Sequence, residues 1–158
     1  MRRTIIAPAR PDAPPHPKIY FIRHGETDWN REGRLQGKRD IPLNDLGRRQ
    51  AGEVALHLRG MLGGRLEAMP WLVSPMGRVR ETCDIVRSTL GMAADGFTLE
   101  PRLIELGFGS WEGLTWKDVR HADPAGAARR KADKWRCVPP GGESYAMLHE
   151  RVRPVITS

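Results

Sequence analysis

With 158 residues, 28% of them charged and 39% hydrophobic, the chain fits a single domain, and a domain of that size buries about 70% of its unfolded surface. A net charge of +7, from 26 Lys and Arg against 19 Asp and Glu, admits nucleic acid, an acidic surface or an anionic small molecule as partner. The basic residues are scattered, with Arg129-Arg130-Lys131 the one run and no aromatics alternating with them, and no apolar stretch nears the roughly 20 residues that span a bilayer. Neither nucleic acid nor a membrane is therefore expected, and an anionic metabolite is.

Residues 1–17 carry five prolines (Pro8, Pro11, Pro14, Pro15 and Pro17) and almost nothing to bury, the pattern of a disordered or polyproline-like arm. The opening apolar segment is too short for a signal peptide, so a cytoplasmic location is expected. Cys83 and Cys137 then read as free thiols. The folded domain is expected to run from 18 to 158.

It opens with Ile19-Tyr20-Phe21-Ile22, an apolar run that predicts a short buried strand, stopped by Arg23-His24-Gly25. The glycine permits a sharp turn, so an arginine and an imidazole should stand together at the carboxyl edge of a sheet, where ligands bind in open α/β folds. A polar loop leads to Asn44 or Asp45, either of which can cap a helix whose apolar face is Ala51, Val54, Ala55, Leu58, Met61 and Leu62. Gly63-Gly64 ends it. Trp71-Leu72-Val73 predicts a second strand, and Ser74-Pro75 the entry to a helix with Val79, Cys83, Val86 and Leu90 inward and Gly91 as its stop. Arg78 falls in the first turn of that helix, among free N–H groups that welcome an anion, and has no anionic partner of its own unless one binds. Phe97-Thr98-Leu99 predicts a third strand. A glycine- and tryptophan-rich loop from Leu103 to Gly113 follows, then polar helices broken at Pro124, a Pro139–Gly142 turn, and a last helix opening at Glu143 or Ser144 and weakened at Pro154. Strands alternating with helices indicate a layered α/β domain.

His24, Arg23, Arg78, Glu105 and Asn30 could converge at the strand ends. A neutral imidazole is a competent nucleophile towards phosphorus, and paired guanidiniums can neutralise a phosphoryl group and grip it bidentately. A carboxyl such as Glu105, its pKa raised by burial, could protonate a leaving alcohol. Glu112 competes for that role in the same loop.

Arg23-His24-Gly25-Glu26-Thr27 with Trp29-Asn30 resembles the signature of the histidine phosphatase superfamily, which includes the cofactor-dependent phosphoglycerate mutases. The likeness continues through Gly33–Gly37, Asp40–Leu43, Gly47–Ala51, Ser74–Thr82, Glu105 with Gly109–Leu114, and Pro140–Ser144, so it covers residues 18 to about 156 in order. It implies a three-layer α/β/α phosphoglycerate mutase-like sheet, with His24 as the phosphorylated nucleophile and Arg23 and Arg78 as phosphate ligands. Glu105 matches the proton donor, Asn30 a position near the phosphate, and Gln36 and Gly37 substrate-side positions. No metal or other cofactor is implied, since the arginines supply the charge. The short stretch between Trp116 and Gly141 is more like the small phosphatases than the mutases, which makes glycolytic mutase activity the lesser alternative.

The family also uses a second histidine, in a His-Gly pair ending a strand beyond the last helix found here. His16, His57, His121 and His149 do not match it, since none precedes a glycine. The expectation is a fold without its C-terminal strands, missing a central one, and a phosphomonoesterase impaired by the loss of the second histidine. An inactive remnant serving as an anion-binding or interaction module is the alternative. Unpaired sheet edges would favour self-association.

Overall fold

A computed structural model of the protein describes residues 18–157, so the proline-rich arm expected over residues 1–17 lies outside the described residues. The elements in order are α1 (Asp28–Arg31), α2 (Asp45–Leu62), β1 (Leu72–Val73), α3 (Gly77–Leu90), β2 (Thr98–Leu99), α4 (Trp116–Ala122), α5 (Pro124–Ala132) and α6 (Tyr145–Thr157). β1 and β2 pair in parallel, with Leu72 opposite Thr98 and Val73 opposite Leu99. No helix is long and apolar enough to cross a membrane among the described residues.

The helix boundaries follow local chemistry. Asn44 accepts a hydrogen bond from the Gly47 N–H at 2.9 Å and caps α2, satisfying one of the donors that a helix start leaves free. Gly91 closes α3 in the left-handed conformation that glycine adopts at least cost. Pro124 occupies the first turn of α5 behind an Asp123 cap, so the break expected there is a helix start as well as a stop. The main core lies between α2 and α3. Ala51, Ala55, Leu58 and Leu62 meet Val86 and Leu66 there, and burying a side chain such as leucine contributes about 1.5–3 kcal/mol. The apolar side of α6 is only partly covered, with Ile156 and Met147 exposed.

One expected element is absent. Ile19–Ile22 is extended but is not a strand, and no backbone–backbone hydrogen bond holds it among the described residues. Its side chains still alternate. Tyr20 and Ile22 pack on the α2–α3 core, while Ile19 is exposed and Phe21 is 88% exposed. Period-two alternation decides which side chains face inward, but a strand needs a neighbour to bond with. None of the described residues supplies it. The described sheet is thus small and parallel, with two strands rather than the three expected.

Position is instead fixed just after this segment. Gly25 N–H donates to Thr82 Oγ1 at 3.1 Å, Glu26 N–H to Gln50 Oε1 at 2.9 Å, and Asn44 N–H to the Glu26 carbonyl at 3.0 Å. These bonds clamp the turn after His24 between α2 and α3. The approach is close enough to demand glycine on both sides. A Cβ on Gly25 would sit 2.2 Å from the Gly47 carbonyl oxygen, and one on Gly47 would sit 2.1 Å from that of Glu26.

Replacing Gly25 with Ala should therefore destabilise the fold by about 1–3 kcal/mol, the cost of overpacking a closed site. Gly60→Ala meets nothing within 4 Å in α2 and should stabilise by about 0.5–1 kcal/mol, because alanine lacks glycine's entropy cost in a helix. Urea unfolding midpoints check both. Equal midpoints for Gly25→Ala and the parent would show that the turn is not clamped.

Candidate active site

His24 and Arg78 meet directly. His24 Nδ1 lies 2.7 Å from the Gly25 carbonyl oxygen and Arg78 Nε lies 3.2 Å from His24 Nε2. A carbonyl only accepts and a guanidinium only donates, so Nδ1 carries the proton and Nε2 presents its lone pair. This tautomer leaves the Nε2 lone pair to accept from the Arg78 guanidinium. Arg78 is 1% exposed, which rules out a solvated surface charge. Its Nη1 donates to the Arg39 carbonyl at 2.7 Å and its Nη2 to the Gly37 carbonyl at 3.0 Å.

Arg78 also has an acidic neighbour that the sequence reading did not assign. Asp40 Oδ1 lies 3.8 Å from Nη1, while its two carboxylate oxygens accept from the Gly77 N–H at 2.7 Å and the Arg78 N–H at 3.4 Å. The N-cap residue of α3 is Met76, which offers no side-chain acceptor. Asp40 supplies one from another loop. The signal was a helix start with no Ser, Thr, Asp or Asn at its cap position.

The other expected site residues gather around this pair to different degrees. Arg23 is exposed, and its charge, like that of Glu105, acts on both His24 and Arg78. Glu105 is exposed too, so the burial expected of it is not found; its Oε1 accepts from the Leu106 N–H at 2.8 Å. Gly37 takes part through its carbonyl. Gln36 is buried and accepts from the Thr27 hydroxyl at 2.8 Å. Asn30 Oδ1 accepts from the Thr27 N–H at 3.1 Å in a reciprocal cap that starts α1. Asn30 and Gln36 thus brace the turn that follows His24.

The two candidate acids separate by geometry. Glu112 Oε1 accepts from the Lys38 N–H at 2.9 Å and from the Phe108 N–H at 3.1 Å, fastening the 105–113 loop to the loop that holds Arg78. Glu143 performs a similar tie, accepting from the Gly107 N–H at 2.9 Å and from Arg151 at 3.1 Å. Burial opposes ionisation of Glu143, yet Arg151 and the Gly107 N–H outweigh it and hold the carboxyl below its usual range. His57, His121 and His149 lie elsewhere, on α2, α4 and α6.

The histidine phosphatase superfamily (branch 1) profile matches residues 19–158. The chain belongs to this superfamily. "Probable phosphoglycerate mutase GpmB" of Escherichia fergusonii is 32% identical over 150 residues, covering 89% of this chain and 62% of that protein. Among solved structures, the alpha-ribazole phosphatase from Shigella flexneri superposes with a TM-score of 0.73 at 27% identity, covering 86% of this chain and 63% of the other. A mycobacterial glucosyl-3-phosphoglycerate phosphatase in complex with VO3 superposes with a TM-score of 0.70 at 30% identity, covering 85% and 62%. The chain spans 35% to 62% of the length of such curated relatives. The small parallel sheet and surrounding helices accord with these phosphatase folds.

Burial is the main influence that lowers the His24 pKa, and the positive charges of Arg78 and Arg23 add to it. The Gly25 carbonyl and Glu105 act in the opposite sense without reversing the shift. The lowered pKa favours the neutral imidazole at pH 7. The unfolded chain binds the proton more readily, so stability is fully present above the unfolded value near 6.5 and falls as the pH drops towards the folded pKa. Denaturation at pH 7.5 and 5.5 should show a loss on acidification that is smaller in His24→Gln. Long-range 1H–15N spectra should place the His24 midpoint below 6.5, and a midpoint at or above it would contradict the assigned environment.

Burial likewise raises the Cys83 thiol to about 11. Ellman's reagent should consequently react with Cys137 alone until the protein unfolds. Rapid labelling of Cys83 in the native state would place it outside the core.

Proposed function

We propose that the protein is a phosphomonoesterase that hydrolyses small phosphorylated metabolites through a phosphohistidine at His24. The observation that carries this reading is the neutral His24 imidazole, whose Nε2 lone pair accepts from the buried Arg78 guanidinium and is released once that guanidinium turns to an anion. Membership of the superfamily supports it. So do the phosphatases among the similar structures, one of which binds VO3.

In the first step, the Nε2 lone pair attacks phosphorus. An N–P bond forms as the P–O bond to the alcohol breaks, and the departing oxygen takes a proton from the Glu105 carboxyl. In the second step, water attacks the phosphohistidine while the Glu105 carboxylate accepts its proton. The N–P bond breaks, its electron pair returns to Nε2, and inorganic phosphate leaves. Arg23 and Arg78 spread the charge on the equatorial oxygens throughout, which is most of what phosphoryl transfer asks of a protein. Arg78 would exchange its contact with His24 for one with the phosphoryl group. Asn30, Gln36 and Gly37 shape the substrate side.

Hydrolysis of p-nitrophenyl phosphate by the chain tests this directly. His24→Ala should abolish turnover and an acid-labile, base-stable phosphoenzyme with it. Glu105→Gln should lower kcat by about 10²–10⁴ on an alkyl phosphate, the usual worth of a general acid, and by much less on the nitrophenyl ester, whose leaving group needs no proton. Vanadate should inhibit, and a chelator should not. Turnover that survives in His24→Ala would remove the nucleophile assignment. Vanadate binding without any turnover would replace the enzyme with an anion-binding module.

A further inference from the structure

A second cluster of cations, in a cleft whose lining includes none of His24, Arg23, Arg78 and Glu105, stands at the junction of the 105–113 loop with α4, α5 and the start of α6. Arg130 on α5 is 4% exposed, and its guanidinium is ringed by Phe108, Trp116 and Tyr145 at 5.2, 5.7 and 5.2 Å from the ring centroids. Rings satisfy the faces of a guanidinium but not the N–H groups along its edge. Arg130 Nη1 is buried without a hydrogen-bond partner, and Arg130 forms no ion pair among the described residues.

Arg130 lines a cleft of about 760 Å³. Arg120, Lys131 and Lys134 line it too, and no carboxylate does. None of these four cations is ion-paired among the described residues. Leu35, Pro124 and Ala127 add apolar wall. A buried, unpaired charge costs several kcal/mol unless something of opposite sign meets it. The cleft thus combines one desolvated guanidinium, three cations at its edge, and apolar surface beside them.

We propose that this cleft is a binding site for a small organic anion, a carboxylate or phosphate carried on an apolar or aromatic body. The anion pairs with the Arg130 guanidinium, and its body lies against Trp116 and the apolar wall. Three rings fix the plane of the guanidinium beforehand, so little side-chain freedom is lost on binding. The cleft lining includes none of His24, Arg23, Arg78 and Glu105, and the proposal rests on no step of the reaction proposed above.

The indole N–H resonance of Trp116 reports on the cleft. Benzoate, phenylphosphonate and inorganic phosphate serve as probes, titrated into the parent chain, Arg130→Met, the double variant Arg120→Ala/Lys134→Ala, and His24→Ala. Benzoate or phenylphosphonate should shift the Trp116 resonance saturably. Affinity should fall at least tenfold in Arg130→Met and about threefold or more in the double variant, and should stay within twofold in His24→Ala. A response to both organic probes marks an anion site indifferent to the head group, and a response to one marks selection for that group. Inorganic phosphate should bind more weakly than phenylphosphonate, having no body to place on the wall.

The proposal is overturned by no saturable shift with either organic probe, by unchanged affinity in Arg130→Met, or by loss of binding in His24→Ala. If Arg130→Met does not fold, the exposed double variant decides, and affinity equal to that of the parent overturns the proposal.

Discussion

Burial of the Arg78 guanidinium is the constraint on which the rest of the site depends. A charge that is 1% exposed persists only where its donors find acceptors. Here the acceptors are two carbonyls of one short loop, at Gly37 and Arg39, with the His24 ring as the third. The loop is held in its turn by Glu112, which takes the Lys38 N–H, and by Asp40, which joins it to the start of α3. Arg78 is thus both a candidate ligand and the peg around which the loop is formed. A cation placed this way is already desolvated before any anion arrives. Its attraction for a phosphoryl group then costs little reorganisation.

The same economy of contacts governs the acid side. Glu105 needs no burial to be relevant, because the loop that carries it is tied at both ends. Glu112 fastens it to the arginine loop, and Glu143 with Arg151 fastens it to the turn before α6. Glu143 and Arg151 lie far from Glu105 in the chain, yet Arg151 donates to the Glu105 carbonyl at 3.2 Å. All three carboxylates accept from a backbone N–H, but only Glu105 is exposed, while Glu112 and Glu143 are half-buried in the ties that hold its loop. Geometry makes that division where residue type could not.

Most helices were legible because their signals are local. Asn44, Gly63, Gly91, Pro124 and Ser144 mark ends by the hydrogen bonds or torsions that their own residue types favour, and all fall where expected. The meeting of His24 with Arg78 accords with the motif order. What was not legible depends on partners distant in sequence. The strand expected at Ile19–Ile22 is a statement about a neighbour, and an apolar run carries no information on whether one is alongside. Asp40 capping α3 from 37 residues away, and the aromatic ring around Arg130, are likewise long-range facts. The Arg129-Arg130-Lys131 run read as scattered surface charge, but one helical step turns Arg130 inward while its neighbours stay outside.

The segment carrying His24 shows how positioning can survive without a ladder. Ile19–Ile22 lacks sheet hydrogen bonds among the described residues, so its inward contacts, Tyr20 and Ile22, hold it by packing alone. Packing resists withdrawal from the core, but it resists sliding along the strand direction less well than a hydrogen-bonded register does. The precision with which His24 is placed must then come from the next residues. Gly25 and Glu26 supply it through two hydrogen bonds to α3 and α2, and through a backbone approach that excludes any side chain. His24 lies one residue before that clamp and is tied back to it by its own Nδ1–H on the Gly25 carbonyl. The imidazole is consequently oriented from its C-terminal side, while Ile19–Ile22 before it is held among the described residues by side-chain packing.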